Sequence, residues 1–354
     1  MNYKYKILSI DGGGIRGIIP AMILAELERC MGASIAESFD MIAGTSTGGI
    51  LSLGLTKPHD RDRWTPQYSA SDLVDLYSTQ GKRIFHEAFP GKTDEWLFNA
   101  KHRWQGKDAV LTEYLGETPI DHALKQVFIT SYDTQLRKPV FFISNPEAEE
   151  HDKNLNFRKI CTGFTMKQVA MATSAAPTFF EPYQVLTAHR DTPHGYYSLI
   201  DGAAYANNPT LLAIMEARMT YFREHEKELP MQEILIVSLG TGSLVHPFEY
   251  EQVKGWGKLQ WIQPFINIVF DGQSEAIDSQ LGSLLQTSCA TQNYYRFQLD
   301  LDEEYNAMDD ASDRNIQKLK DMACRMIDER ELAITKLCKE LQQKCREKSP
   351  MRLF

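Results

Sequence analysis

Residues 39–55 read FDMIAGTSTGGILSLGL. A mostly apolar approach, FDMIA, enters the sharp turn Gly44-Thr-Ser-Thr-Gly48 and leaves through an apolar run of helical character. The unit predicts strand, turn, helix. The same unit stands just upstream. The apolar run 5–10 ends at Asp11-Gly-Gly-Gly-Ile-Arg-Gly17, and IIPAMILAELERCM follows. There Ile18, Ile19, Met22, Ile23 and Leu27 recur near helical spacing, with Gly32 as the stop. Two such units within the first 55 residues begin a parallel, doubly wound sheet with helices on both faces.

Outward from these units the pattern continues. Ser69-x-x-Asp72, Thr118-Pro119-x-Asp121 and Thr165-x-x-Gln168 predict capped helices. VFITSYD (127–133) and PVFFISN (139–145) are expected strands, a hairpin or neighbours, while 147–153 is a solvated loop. YYSLI (196–200) leads as a strand into Asp201-Gly-Ala, and Asn208-Pro209 opens a long helix reaching Glu228. EILIVSLG (233–240) has the apolar character of a central parallel strand covered on both faces, and YYRFQL (294–299) is a late strand. Residues 312–346 form a charge-rich helical pattern with a break near 328–331. With no repeat and no long linker, the expectation is one domain, 1–312, carrying a helical extension, 313–354, packed on it.

The chain has 354 residues, 38 Lys+Arg against 47 Asp+Glu, and a net charge of −9. Its 43% hydrophobic and 24% charged residues exclude a disordered or collagenous chain. The acidic balance argues against nucleic acid as a partner, since neutralising phosphates needs concentrated Lys and Arg. Six cysteines, at 30, 161, 289, 324, 338 and 345, form no C-x-x-C and have no zinc-finger histidine, so no metal is expected. Scattered thiols in a chain able to bury its own core point to a reducing, cytoplasmic setting. The amino-terminal run is cut short by Asp11 and makes no signal-peptide core, and nowhere do 18 uncharged apolar residues follow one another. A membrane would be met from outside, at its inner face.

Gly44-Thr-Ser46-Thr-Gly48 fits G-x-S-x-G, in which small residues let strand and helix close around a strained serine. Its hydroxyl would point from the sheet at the amino end of the next helix. An ordinary Gly/Ser/Thr turn is the alternative. The glycines of Asp11-Gly12-Gly13-Gly14, with Arg16 beyond them, leave backbone N–H groups free to converge on an anion. An oxyanion hole, a phosphate cradle and a functionless glycine crossing all fit that composition, although neither dinucleotide nor P-loop spacing is present. Of nine histidines, His246 in GSLVHP is the best placed for a late triad member. Asp201 falls at a strand end, where α/β sites gather, and would serve either as a base for Ser46 or as a turn-forming D-G.

In this order, D11-G-G-G-I-R-G17, G44-T-S-T-G48 and D201-G-A203 resemble the patatin-like phospholipases. The likeness continues through S174-A-A-P-T-F-F180, S238-L-G-T-G-S243 and M308-D-D-A-S312, spanning roughly residues 5–312. The resemblance implies the patatin three-layer α/β/α sandwich around a mostly parallel sheet, related to cytosolic phospholipase A2. It further implies a serine lipid acyl hydrolase of phospholipase A type that needs no cofactor. Ser46 is then the nucleophile and Asp201 its activator. Gly13 and Gly14, with Gly12, form the oxyanion hole, and Arg16 matches the family arginine beside it. Plant members begin with a signal peptide and this chain does not, so the compact cyclic-dinucleotide-activated phospholipases of bacterial anti-phage defence are the nearer comparison. These imply membrane phospholipids as substrate, a cyclic dinucleotide as activator and a change of oligomeric state. A weakly active storage or lipid-binding protein on the same scaffold is the alternative.

Two stretches are candidates for control or membrane contact. Residues 82–107 hold six Lys/Arg against three Asp/Glu, interleaved with Phe85, Phe89, Trp96, Phe98 and Trp104. Lys82, Arg83, Lys101, Arg103 and Trp104 are the candidate activator or membrane contacts, unless the stretch packs its aromatics on the core. Residues 255–285 are more apolar and are expected to be either an acyl-chain wall or lid, or ordinary core, with Pro264 interrupting any helix.

Overall fold

The structure, a computed structural model, describes residues 3–86, 100–149, 155–187, 192, 194–244 and 248–343. His246, Phe89, Trp96, Phe98 and residues 344–354 lie outside the described residues. In chain order the first half holds β1 (Tyr5–Ile10), α1 (Ile18–Met31), α2 (Ile35–Ser38), β2 (Met41–Thr45), α3 (Thr47–Thr56), α4 (Ala70–Ile84) and α5 (Trp104–Leu115). Then come β3 (Gln126–Asp133), β4 (Lys138–Ile143), β5 (Arg158–Ile160), α6 (Met166–Thr173), β6 (Tyr183–Leu186), β7 (Tyr196–Asp201) and α7 (Ala203–Ala206). The rest comprises α8 (Thr210–His225), β8 (Ile234–Leu239), β9 (Ser243–Leu244), α9 (Tyr250–Val253) and α10 (Lys258–Thr287). β10 (Tyr294–Phe297), β11 (Asp300–Leu301), α11 (Asp313–Glu329) and α12 (Glu331–Gln342) complete it.

Nine strands make the main sheet, in the order β10-β8-β1-β2-β3-β4-β5, with β7 on β3 and β6 on β7. The pairs from β10 through β3 are parallel, whereas β4 and β7 run antiparallel to β3. Alternation along β1 explains why both faces are covered. Leu8 and Ile10 point into one cluster with α1, α4, α11 and α12. Tyr5 and Ile7 join the opposite cluster, with α8 and the distal part of α10. A third cluster packs α5 and α6 on β3 and β4. The result is an α/β/α sandwich around a mixed, mostly parallel sheet, as expected. α11 and α12 lie on α1, and the Lys6 ammonium donates to the Leu341 carbonyl at 2.7 Å and the Gln343 carbonyl at 2.8 Å.

Three local expectations need correction. Thr118-Pro119 opens only a single turn, Ile120–His122, because the segment is pinned instead to the start of α6. There the Ile120 amide donates to Phe164 and the Met166 amide to Thr118. Pro264 does not interrupt α10, which passes through it as one helix of 30 residues. A proline near the solvent-exposed start of a long helix loses one amide bond, and the remaining ladder outlasts that loss. Nor is 255–285 ordinary core throughout. Leu281 and Leu285 are buried, but Leu259 and Phe265 are 57% and 59% exposed.

Candidate active site

The sheet register brings Ser46 and Asp201 together. β2 runs parallel to β3 and ends with Thr45 opposite Thr130. β7 arrives from the other direction along the same edge of β3, and its last residue, Asp201, lies opposite Ser131. Two strands therefore meet head-on at adjacent rungs of a third. Ser46 follows Thr45 at once, lines the same pocket as Asp201, and its hydroxyl favours the ionised form of that carboxylate.

Ser46 is held at φ 56°, in the left-handed region that a residue with a side chain rarely adopts, and caps α3. The pentapeptide's glycines are a matter of contact distance. A Cβ on Gly44 would stand 2.2 Å from the Gly48 carbonyl oxygen, and one on Gly48 would stand 2.2 Å from that of Ile10. The Ser46 amide donates to Thr173 Oγ1 at 2.9 Å, which ties the elbow to the end of α6.

The loop after β1 is fastened from several sides. Arg296 of β10 grips Asp11 with both guanidinium nitrogens, at 3.1 and 2.7 Å, and also donates to Ser238 Oγ. Thr241 Oγ1 donates to the Gly12 carbonyl at 2.6 Å, the Gly12 amide donates to the Asn207 carbonyl, and the Ile15 amide donates to Met308 at 2.8 Å. Gly13 and Gly14 line the same pocket as Ser46 and Asp201. No hydrogen bond among the described residues engages their amides. Gly12 and Arg16 do not line the pocket. Arg16 is 2% exposed and braces the Gly13 and Asn306 carbonyls, and burial lowers its guanidinium to about 10.

The pocket has a cavity volume of about 50 Å³. Ile50, Ile84, Phe85, Phe179, Phe180 and Phe270 make its wall overwhelmingly apolar. Among the described residues no histidine lines it, and no three His, Cys, Asp or Glu side chains converge as a metal site would. Burial pushes the Asp201 carboxyl up to about 6, against the opposing pull of the Ser46 hydroxyl, the Ala203 amide and Lys107. The Ala203 contact is 2.8 Å.

Lys107 escaped the sequence reading, although it ends one of the two stretches singled out. It lines the pocket 2% exposed, donates to the Ser174 carbonyl at 2.8 Å, and sits 3.7 Å from the Phe180 ring centroid. Burial depresses its ammonium to about 7, with Asp201 pulling the other way. The neighbouring Ala175 carbonyl accepts the Asp201 amide at 3.0 Å, so one short segment holds both groups. Arg296 had a usable signal. A charge inside the apolar strand YYRFQL must find a buried partner.

The surface candidates are placed differently. Lys82 pairs with Asp313 at 2.6 Å, Arg83 with Glu113 at 2.7 Å and Lys101 with Asp309 at 2.5 Å. The Arg103 amide donates to His86, and Trp104 is 43% exposed at the start of α5. His102, between them, is buried against Phe85, Phe179 and Phe180 and bonds Asp309 at 2.6 Å. Three of the four bases thus hold carboxylates.

The family model described as patatin-like phospholipase matches residues 8–214. Patatin-like protein 4 of Arabidopsis thaliana is 31% identical over 346 residues, covering 91% of this chain and 83% of its own length. Patatin-2-Kuras 3 of Solanum tuberosum is 33% identical over 329 residues, covering 88% and 81%. Among solved structures, VipD from Legionella pneumophila aligns over 92% of this chain and 67% of its own, with 12% identity and a TM-score of 0.39.

Proposed function

The chain belongs to the patatin-like phospholipase family, whose members are generally lipid acyl hydrolases, and from that premise we propose that Ser46 and Asp201 form its catalytic dyad. The observation that carries the proposal is the head-on meeting of β2 and β7 on β3. It puts a strained serine hydroxyl against a buried carboxylate in an apolar slot. Asp201 takes the hydroxyl proton as Ser46 Oγ attacks the ester carbonyl carbon. Negative charge then develops on the carbonyl oxygen, within reach of the Gly13 and Gly14 amides. Collapse breaks the ester bond, and Asp201 returns its proton to the departing glycerol oxygen. Water, deprotonated by the same carboxylate, next attacks the acyl-enzyme; the Ser46 Oγ–acyl bond breaks, Asp201 returns the proton to Oγ, and the fatty acid leaves. The apolar wall suits an acyl chain.

Fatty-acid release from phospholipid vesicles, together with labelling by a fluorophosphonate, tests this reading. The expected result is release accompanied by modification of Ser46 in the peptide map. Release without labelling at Ser46 overturns the nucleophile. No release from any phospholipid favours the storage or lipid-binding alternative.

Lys107 makes the pH dependence specific. The dyad works with Asp201 ionised, so kcat/KM rises as pH passes about 6. A charged Lys107 favours that ionisation, and its loss in Lys107→Met moves the rise to higher pH. Above about 7 the wild-type lysine is itself neutral, so the two profiles converge there. A pH–rate profile for both proteins measures this, and superimposable acidic limbs would detach Lys107 from the dyad. The fold should persist, since removing a buried ammonium relieves its desolvation.

The proposal extends to control and place. It takes the enzyme to be cytoplasmic, working at the inner membrane surface, and held off until a cyclic dinucleotide binds and shifts its oligomeric state. A ligand's phosphates would have to displace Asp313, Glu113 and Asp309 from Lys82, Arg83 and Lys101. Titration calorimetry with 2′,3′- and 3′,3′-linked dinucleotides, alongside acyl release, tests it. The expected rise is at least roughly tenfold, well short of the ~10⁴-fold affinity ratio of a full population swing. No binding, with high activity in the untreated enzyme, removes this part and leaves the hydrolase.

A further inference from the structure

The first half of α10 carries apolar side chains of two different fates. Ile266, Val269 and Phe270 turn inward and pack with Ala203 and Met308, and Phe270 lines the pocket. Exposed along the same turns are Leu259, Trp261, Ile262, Phe265 and Ile268, at 57%, 37%, 41%, 59% and 43%. No charged residue stands between Lys258 and Asp271. Just before the helix, Tyr250 is 73% exposed, and Phe248, Trp256 and Trp261 form an aromatic cluster with ring centroids 5.2 and 5.0 Å apart. Scattered exposed hydrophobes need no explanation, but a contiguous charge-free face does.

We propose that this face of α10, with the aromatic cluster at its start, inserts into the surface of a phospholipid bilayer and delivers acyl chains to the pocket. The inference rests on the lipid acyl hydrolase reading. Three observations favour a bilayer over another protein as the occupant. The substrate of such an enzyme resides in a bilayer. The exposed row runs into the pocket wall along one stripe of the helix, because Ile262, Ile266 and Phe270 follow one another at intervals of four. The face pairs aliphatic side chains with tryptophan and tyrosine, the mixture suited to the boundary between headgroups and acyl chains. Among the described residues no helix is long and apolar enough to cross a membrane, so contact through α10 is lateral and shallow. Because the row is uncharged, binding should depend on apolar insertion and little on anionic lipid. That separates it from the basic stretch 82–107, where Lys82, Arg83 and Lys101 hold carboxylates.

The test uses the full chain, phosphatidylcholine vesicles and a soluble short-chain ester. Ile262→Ser/Phe265→Ser should lower vesicle sedimentation and vesicle hydrolysis at least about tenfold, while hydrolysis of the soluble ester is unchanged. Leu332→Ser, removing an 87% exposed leucine of α12, should change neither. In the otherwise native chain, brominated phosphatidylcholine should quench tryptophan emission, and Trp256→Phe/Trp261→Phe should abolish most of that quenching. Wild-type sedimentation by the double-serine variant, or quenching unaffected by the tryptophan changes, overturns the proposal. So does loss of a dimer on sedimentation velocity with vesicle binding intact, which would make the face a contact between copies. Failure of the underlying hydrolase reading looks different, since the wild-type chain would then sediment with vesicles yet cleave neither substrate.

Discussion

Phospholipid hydrolysis by purified Ser46→Ala protein is expected to fall by roughly four orders of magnitude or more, because in the proposed dyad nucleophile and base act as a unit. The variant stays folded, since the side chain removed is small and its helix keeps the Thr173 contact to the backbone amide. Asp201→Asn loses about 10³–10⁴-fold, as the amide cannot take the serine proton. Undiminished specific activity in folded Ser46→Ala ends the assignment. Full activity in Asp201→Asn would call for a histidine base, with His246 first to be replaced. The asparagine variant also has a thermal signature with a definite sign. Native Asp201 keeps its proton up to about 6, whereas the unfolded chain releases it near 3.8. Between those values the native state binds more protons, so this group's contribution to stability is present at low pH and lost as pH rises through 6. Asparagine never ionises. Asp201→Asn should therefore melt higher than wild type at pH 8 and lose that advantage below about pH 4, as calorimetric scans at the two pH values would record.

Gly14→Ala is expected to lower kcat by about 10²–10³-fold, the usual cost of disturbing one oxyanion donor. Two features converge on this residue. Its φ is +60°, where an L side chain is strained, and an added Cβ would stand 2.1 Å from the Met308 carbonyl oxygen. That carbonyl accepts the Ile15 amide, so backbone on both sides is committed and the loop must shift to make room. The shift carries the Gly13 and Gly14 amides away from the pocket. Steady-state kinetics on a soluble ester separates the outcomes. A fall confined to kcat fits a displaced transition-state donor, whereas a change confined to KM would place these glycines in substrate binding. A loss of stability of about 1–3 kcal/mol should accompany it, from backbone strain alone.

The features that were legible in the sequence are those written locally. β1 with its glycine loop, and β2 with the serine elbow, are each encoded by consecutive residues, and their helices are marked by apolar spacing and glycine stops. The capping boxes at Ser69 and Thr165 open α4 and α6 as their spacing predicts. Thr118 carries the same signature, yet tertiary pairing to Phe164 and Met166 overrides it. Pro264 misled because a proline's cost is local while a helix's support is summed along its length. The approach of β7 to β3 joins residues 131 and 201, and nothing in either strand alone announces the partner. Lys107 and Arg296 follow the same rule. Each reads as an ordinary base until the fold surrounds it with pocket or carboxylate.

Reading the chain in the order of its synthesis gives the contact at Gly14 another meaning. The glycine loop is among the first structured residues to emerge, yet its amide partner, Met308, is among the last. Lys6 waits longer still, for carbonyls at 341 and 343. β1 itself lacks one neighbour until residues 234–239 have been made. Pairings of such sequence separation cannot form on a partial chain and close slowly even on a complete one. A nascent polypeptide therefore carries Ser46 before Asp201, Phe270 and Met308, which complete its pocket, have been made.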